Sequence, residues 1–401
     1  MNMAASIIEV NTPLLEKEFL EINASLNKSN PNYIRPLDNE VNQVFDRSHN
    51  KLFKGGDAKR WIVQNEEGIC IGRIAAFYYE SYKNKGTEFP VGCVGFFDCI
   101  DDQAIANLLF STAQIWLSEN GMEAMDGPIN FGDRDKWWGL MVKGFDKEPM
   151  YGMSFNPSYY ESLITNYGFQ NYYNQYYYQK NLNEPLPARF EERYNKFKAK
   201  PDYSALHLDK NNLEKFAKDF VHIYNSAWAQ HGEEKAITLE QILKLFKTLK
   251  AVMDERVIWF AYYKEEPIAM FINIPDVNQY FKYFNGKLGL FQKLNLLWMK
   301  FRGSNDKLTG LAFGVVPKYQ ALGIDSYLIY CCYIMLHKIK LYSGYEMGWA
   351  ADWNPKMVNI YKSLDAQPSR QMVTFRHIFN PSVHPFERHP PMDYSANKGA
   401  Q

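Results

Sequence analysis

Two hydrophobic periods alternate along the chain. Ile7 to Val10 predicts a short strand, and Leu14 to Leu26 carries apolar residues at helical spacing. Asn30 to Asn39 is polar, contains Pro31 and Pro36, and predicts a loop. Trp61 to Gln64 and Cys70 to Tyr79 flank the polar turn Asn65-Glu66-Glu67-Gly68, the pattern of a β-hairpin. Gly92 to Asp98 predicts a strand. From Asp102 to Ser118, the residues Ile105, Leu108, Leu109, Ala113, Trp116 and Leu117 share one helical face, which Glu119-Asn120-Gly121 ends. Glu123 to Asn130 predicts a strand. Asn156-Pro157 opens a helix that closes at Tyr167-Gly168-Phe169, and Tyr172 to Gln179 is a strand.

Residues 182–201 hold three prolines and many charges and predict a linker, with helix between Ala188 and Phe197. The scheme then repeats. Leu213 to Trp228 and Leu239 to Leu249 have helical spacing. Val257 to Tyr263 and Ile268 to Ile274 form a hairpin around Lys264-Glu265-Glu266-Pro267. Leu308 to Val316 is a strand, Ile324 to Leu341 a helix, and Tyr345 to Ala350 a strand. Asn354-Pro355 opens a helix ending near Asp365, and Gln371 to Phe379 is the last strand. Self-similarity over half the chain predicts a duplicated α/β unit, each copy a mixed sheet flanked by helices. The expected organisation is one domain over 1–181, a linker over 182–201, a second domain over 202–380 and a poorly ordered tail over 381–401.

Composition narrows the function classes. The 401 residues suit two domains of ordinary size. Lys plus Arg and Asp plus Glu are both 45, so no general attraction to nucleic acid or an anionic membrane is expected. The five cysteines, Cys70, Cys93, Cys99, Cys331 and Cys332, form no CxxC pair and read as reduced, buried thiols. No basic start is followed by an apolar core, and no apolar run approaches ~20 residues. A cytoplasmic protein without a membrane segment is the expectation.

The strand Leu308–Val316, the loop Gln320-Ala321-Leu322-Gly323-Ile324-Asp325 and the helix behind it resemble the GNAT N-acetyltransferase superfamily, whose loop reads [Q/R]-x-x-G-x-[G/A]. Backbone N–H groups at a helix start lack intrahelical partners and favour an anion, which suits the coenzyme A diphosphate. Asp325 replaces the final small residue of the motif. The stretch Asn354 to Asp365 resembles the family's N-x6-Y-x2-L-G, with Asp365 in place of the glycine. The resemblance implies a fold of tandem GNAT-like domains and a coenzyme site at Val315, Gln320, Ala321, Leu322, Gly323, Ile324, Asp325, Ser326 and Asn354. It also implies that Tyr361 protonates the leaving thiolate, that Glu346 or a water takes the amine proton, and that N–H groups near Phe313 to Val315 polarise the thioester carbonyl. Trp228, His231 and Glu233 follow the first helix of the second half, where the family borders its acceptor pocket. The first half has no glycine in Cys99-Ile100-Asp101-Asp102-Gln103 and no tyrosine matching Tyr361, so a phosphate cradle is not expected there.

Asn130 to Gly139 is polar, charged and aromatic. It reads equally as a binding loop or as a loop packed by its own tryptophans. His377, His384 and His389 have no compact metal spacing, and no metal is expected. The leading expectation is an N-acyltransferase that uses acetyl-CoA or another acyl-CoA, with a small-molecule or peptidic amine as acceptor and no nucleic acid partner. Two alternatives stand beside it. One is a Fem-type aminoacyl transferase, implied by the tandem layout; the other is a non-catalytic scaffold that binds a ligand or a partner.

Overall fold

The computed structural model describes residues 5–82, 87–227 and 236–392. Its strands are β1 (Ala5–Glu9), β2 (Gly56–Asn65), β3 (Cys70–Tyr79), β4 (Val91–Cys99), β5 (Ala124–Gly127), β6 (Leu140–Lys143), β7 (Gln170–Asn181), β8 (Tyr203–His207), β9 (Ile258–Tyr263), β10 (Glu266–Pro275), β11 (Lys307–Val315), β12 (Gly344–Ala351) and β13 (Gln367–Ile378). The helices are α1 (Pro13–Asn27), α2 (Asp38–Phe45), α3 (Gln103–Glu119), α4 (Tyr160–Tyr167), α5 (Ala188–Lys198), α6 (Leu213–Ala227), α7 (Leu239–Leu249), α8 (Asn278–Phe281), α9 (Leu290–Phe301), α10 (Ile324–Ile339) and α11 (Pro355–Ser363).

Local chemistry sets many of these boundaries. Thr12 accepts from the Leu15 N–H and Pro13 opens α1. Thr238 and Gln241 form a reciprocal capping box at α7. Gly168 takes a left-handed conformation and closes α4.

The two expected sheets run into one, ordered β1-β2-β3-β4-β5-β13-β7-β12-β11-β10-β9-β8, with β6 also paired to β13. The halves exchange their last strands. β13, from the second half, pairs antiparallel with β5 of the first, Phe375 opposite Gly127. β7, from the first half, pairs antiparallel with β12 of the second, Tyr345 opposite Lys180. β7 and β13 pair with each other at the centre. One core packs α3 and α4 on the first half of the sheet around Phe97, Phe110 and Tyr160. Another gathers Phe216, Phe260, Met270 and Leu328 in the second half.

Some elements lack a strong pattern in the sequence. β6 and β8 are four and five residues long. α2 starts at Asp38, inside the stretch whose prolines predict a loop. Between Ile274 and Leu308 the hydrophobic period assigns nothing, yet α8 and α9 form there. The tail also departs from expectation as far as residue 392. The His389 ring stacks on Trp353 with 5.0 Å between centroids, and the Met392 N–H bonds to the Trp353 carbonyl.

Candidate active site

The turn into α10 is built as the loop motif implies. The chain leaves β11, makes a short turn over Pro317–Tyr319, and takes left-handed conformations at Ala321 (φ +60°) and Gly323 (φ +94°). No side chain caps the helix start. Among the described residues, no acceptor takes the backbone N–H groups of Ala321 through Ser326. Asp325 does not plug the turn. Its carboxylate lies 3.9 Å from the Arg193 guanidinium of α5, and that Arg193 also donates to the Ser326 hydroxyl at 3.2 Å. A Cβ on Gly323 would stand 3.1 Å from Arg193 Cδ, so glycine admits the arginine as well as the backbone twist. The α3 start differs: the Asp102 carboxylate accepts from the Ala104 and Ile105 N–H groups at 2.8 and 3.3 Å and fills the equivalent position.

β11 and β12 pair in parallel only from Lys307–Gly344 to Thr309–Glu346. Beyond this, Leu311 bulges out of the pairing with β10. Gly310 and Gly348 stay close, since a Cβ on Gly348 would stand 2.9 Å from the Gly310 carbonyl oxygen, and a Cβ on Gly310 would strike the Tyr345 hydroxyl at 2.6 Å. Asn354 caps α11, accepting weakly from the Met357 N–H at 3.4 Å. Its counterpart Asn156 bonds both ways to the Met141 backbone and pins β6.

Tyr361 is buried, and its hydroxyl donates to the Gly348 carbonyl at 2.8 Å. Burial pushes that hydroxyl well above the ordinary tyrosine range. It packs with Ile329, Met347 and Leu364, which also line an apolar cleft between α10 and β12, with Phe271, Leu308, Tyr333 and Leu336. The helix α5 runs from the Gly323 turn to the Tyr361 cluster. Phe190 packs into the Tyr361 cluster, Arg189 bonds to the Ser363 carbonyl, and Tyr194 stacks on Tyr327.

Glu346 is not brought to Tyr361. Strand alternation turns Tyr345 and Met347 to the cleft and Glu346 to the opposite face, where it pairs with the buried Arg370 and the Ser369 hydroxyl. Burial raises its carboxyl pKa despite Arg370. Trp228, His231 and Glu233 lie outside the described residues.

A second cleft was not legible in the sequence. It opens in the first half beside Phe96, Phe97 and Asp98 of β4. Arg73 donates to Asp98 at 2.7 Å, Asn23 and Tyr160 complete the carboxylate's partners, and Tyr33 bonds to Asn23. Burial raises the Asp98 pKa against the pull of Arg73. The partners come from four separate segments, so no local spacing announces them. In the loop 130–139, Trp137 and Gly139 line this cleft, while Trp138 is buried and donates to the Tyr173 hydroxyl of β7 at 2.8 Å. Burial pushes the Cys70 and Cys331 thiols up to about 11 and 12, which disfavours thiolates. Among the described residues, no group of three His, Cys, Asp or Glu is placed to hold a metal, and no helix is long and apolar enough to cross a membrane.

No family model matches the chain. It is similar to a bacterial ceramide synthase of Caulobacter vibrioides, 27% identical over 369 residues, covering 90% of this chain and 94% of that protein. Among solved structures it is similar to the glucosamine N-acetyltransferase region of a fungal multi-domain beta-N-acetylglucosaminidase, with a TM-score of 0.56 and 10% identity. That match covers 94% of this chain and 38% of that one, so this chain spans well under half of the longer protein. A tandem GNAT protein from the clavulanic acid biosynthesis pathway gives a TM-score of 0.54 at 10% identity, covering 94% of this chain and 99% of that one. With its duplicated, strand-exchanged sheet, the chain has the tandem GNAT fold.

Proposed function

We propose that the chain transfers an acyl group from an acyl-CoA to the amine of a long-chain acceptor, with hydrocarbon from one of the two filling the cleft between α10 and β12. The observation that carries this reading is that cleft, because its walls are almost wholly apolar and three wall residues, Ile329, Met347 and Leu364, also pack around Tyr361. The Caulobacter relative's name adds the acceptor class, since a ceramide is an amide of a long-chain amino alcohol. Bound acyl-CoA supplies an activated thioester. The unpartnered N–H groups from Ala321 to Ser326, with Arg193 beside them, suit its diphosphate. The amine nitrogen bonds to the carbonyl carbon, the carbon–sulfur bond breaks, and the amine proton passes to water, because Glu346 faces away. Tyr361 serves as acid to the thiolate once its hydroxyl leaves the Gly348 carbonyl.

The test is thiol release from acyl-CoAs of graded chain length, with and without a long-chain amine, and detection of the amide by mass spectrometry. Amine-dependent release that rises with chain length is expected, and its absence with both substrates saturating overturns acyl transfer. Tyr361→Phe is expected to slow the chemical step by ~100-fold while coenzyme binding stays unchanged.

A second reading, a non-catalytic scaffold, is favoured by the burial of Tyr361 beneath Phe190 of α5, with Arg189 holding α5 to the Ser363 carbonyl. Calorimetric titration with CoA separates the two, since a chain that does not saturate at millimolar coenzyme is a scaffold.

A further inference from the structure

The connection between β10 and β11 runs over residues 276–306, whereas the matching connection between β3 and β4 runs over 80–90. The longer one carries α9, and most of α9's apolar surface faces outward. Leu290 is 71% exposed, Phe291 83%, Leu294 56%, Leu297 51%, Trp298 56% and Phe301 86%. At about 100° per residue these six side chains fall within an arc of about 120°. The opposite side anchors the helix, with Leu296 and Met299 packed among Leu37, Val277, Tyr280 and Phe284. Tyr283 and Leu288, on the approach to the helix, are exposed as well. The apolar arc is therefore a continuous patch on an anchored helix, not scattered surface residues.

The segment's own charge has one sign, although Glu21 and Asp38 from the first half lie near Lys287. From Val277 to Asn305 the chain holds Lys282, Lys287, Lys293, Lys300 and Arg302 and neither Asp nor Glu. Lys282 is paired with Glu148, and Lys300 donates to the Ala251 and Met253 carbonyls. On the helical wheel Lys293 and Lys300 border one edge of the apolar arc and Arg302 the other, with the Arg302 guanidinium 5.5 Å from the Trp298 ring centroid.

We propose that α9 docks the protein on an anionic lipid bilayer, lying flat in the interface with the Phe291–Trp298–Phe301 face in the acyl boundary and Lys287, Lys293 and Arg302 among the headgroups. At ~18 Å the helix is too short to span a bilayer but suits the interfacial plane. Tryptophan beside bulky aliphatics and a cationic border is the composition that favours this depth. A second copy of the chain is a poorer occupant, because a self-paired α9 would set the basic borders formed by Lys293, Lys300 and Arg302 against each other. The chain's neutral total hides the patch: acids elsewhere balance a segment that is locally only basic. Docking is independent of whether the chain transfers acyl groups.

The experiment is flotation of the full chain with vesicles of phosphatidylcholine alone or mixed with phosphatidylglycerol, at low and high salt. Binding to the mixed vesicles that weakens with salt is expected. Lys293→Glu with Arg302→Glu is expected to weaken it on the order of 30-fold or more. The triple variant Phe291→Ser, Trp298→Ser, Phe301→Ser is expected to abolish it without changing the circular dichroism or the melting temperature by more than a few degrees, since all three side chains are exposed. Three results would overturn the proposal: failure of the unmodified chain to float with the mixed vesicles, equal flotation of the triple variant, or a chain-chain dimer that the triple variant dissolves with no vesicle binding.

Discussion

Arg376 of β13 and Asp126 of β5 form an ion pair at 2.6 and 2.8 Å, with side chains 4% and 0% exposed, across the junction of the two halves. Removing one member leaves the other charged and buried, so Asp126→Ala is expected to cost ~3–5 kcal/mol in urea unfolding. A loss under 1 kcal/mol would show the pair is not what fixes this junction. His377, on the same strand, lies against the Tyr167 and Phe169 rings at 5.0 and 5.4 Å, and burial lowers its pKa. The unfolded imidazole takes a proton near pH 6.5, which the folded site resists. The contribution to stability is thus whole above the unfolded pKa and falls as the pH drops below it toward the folded value. Unfolding curves from pH 7 to 5 should show this slope, and His377→Phe should flatten it; an unchanged slope would assign the acid sensitivity elsewhere.

Two helices at matching places in the duplicated unit begin differently, and the difference is visible in sequence. Asp102 stands at the α3 start and satisfies its N–H groups, while Gly323 opens α10 and leaves them without acceptors. Asp102→Ala is therefore expected to cost ~1 kcal/mol on thermal unfolding, and a neutral outcome would mean that solvent replaces the cap. The motif residues Gln320 to Ser326 and Asn354 to Tyr361 announce strand, turn and helix correctly as elements. They do not announce α5. Its residues Ala188 to Phe197 show helical spacing, but nothing local says that Arg193 comes to rest beside Gly323 or that Phe190 packs with Tyr361. Those contacts depend on how the linker crosses the second half. Glu346 illustrates the same limit: its strand was legible, but the face it presents depends on register.

At the scale of the whole molecule, the exchange of β7 and β13 makes each half incomplete. Expressed alone, 1–201 would leave β5 and β7 without β13 between them, and 182–401 would leave β12 without β7. Unpaired strand edges of that length aggregate. Each fragment alone is expected to be insoluble or unfolded by circular dichroism, and co-expression is expected to recover a soluble complex; two independently folded fragments would contradict the coupling. The 276–306 segment adds a second clasp, with Asp276 accepting from the Tyr151 N–H and Lys282 meeting Glu148, with which Lys307 at the start of β11 also pairs.

The sequence by itself determined the local grammar: the hairpins, the helices with their caps, the duplication, and the helix start at Asn354-Pro355. These follow from periodicity and from residues whose backbone preferences act within a few positions. Asn156-Pro157 does not open a helix, since α4 begins at Tyr160 and Asn156 is taken up by the Met141 backbone. The tertiary structure alone decided which strands pair across the halves, that Asp98 and Arg73 meet in a buried cleft, that α5 covers Tyr361, and that the apolar face of α9 is left outside. Each of these depends on segments far apart in the chain, brought together by burial of the whole, and no short window of residues encodes them.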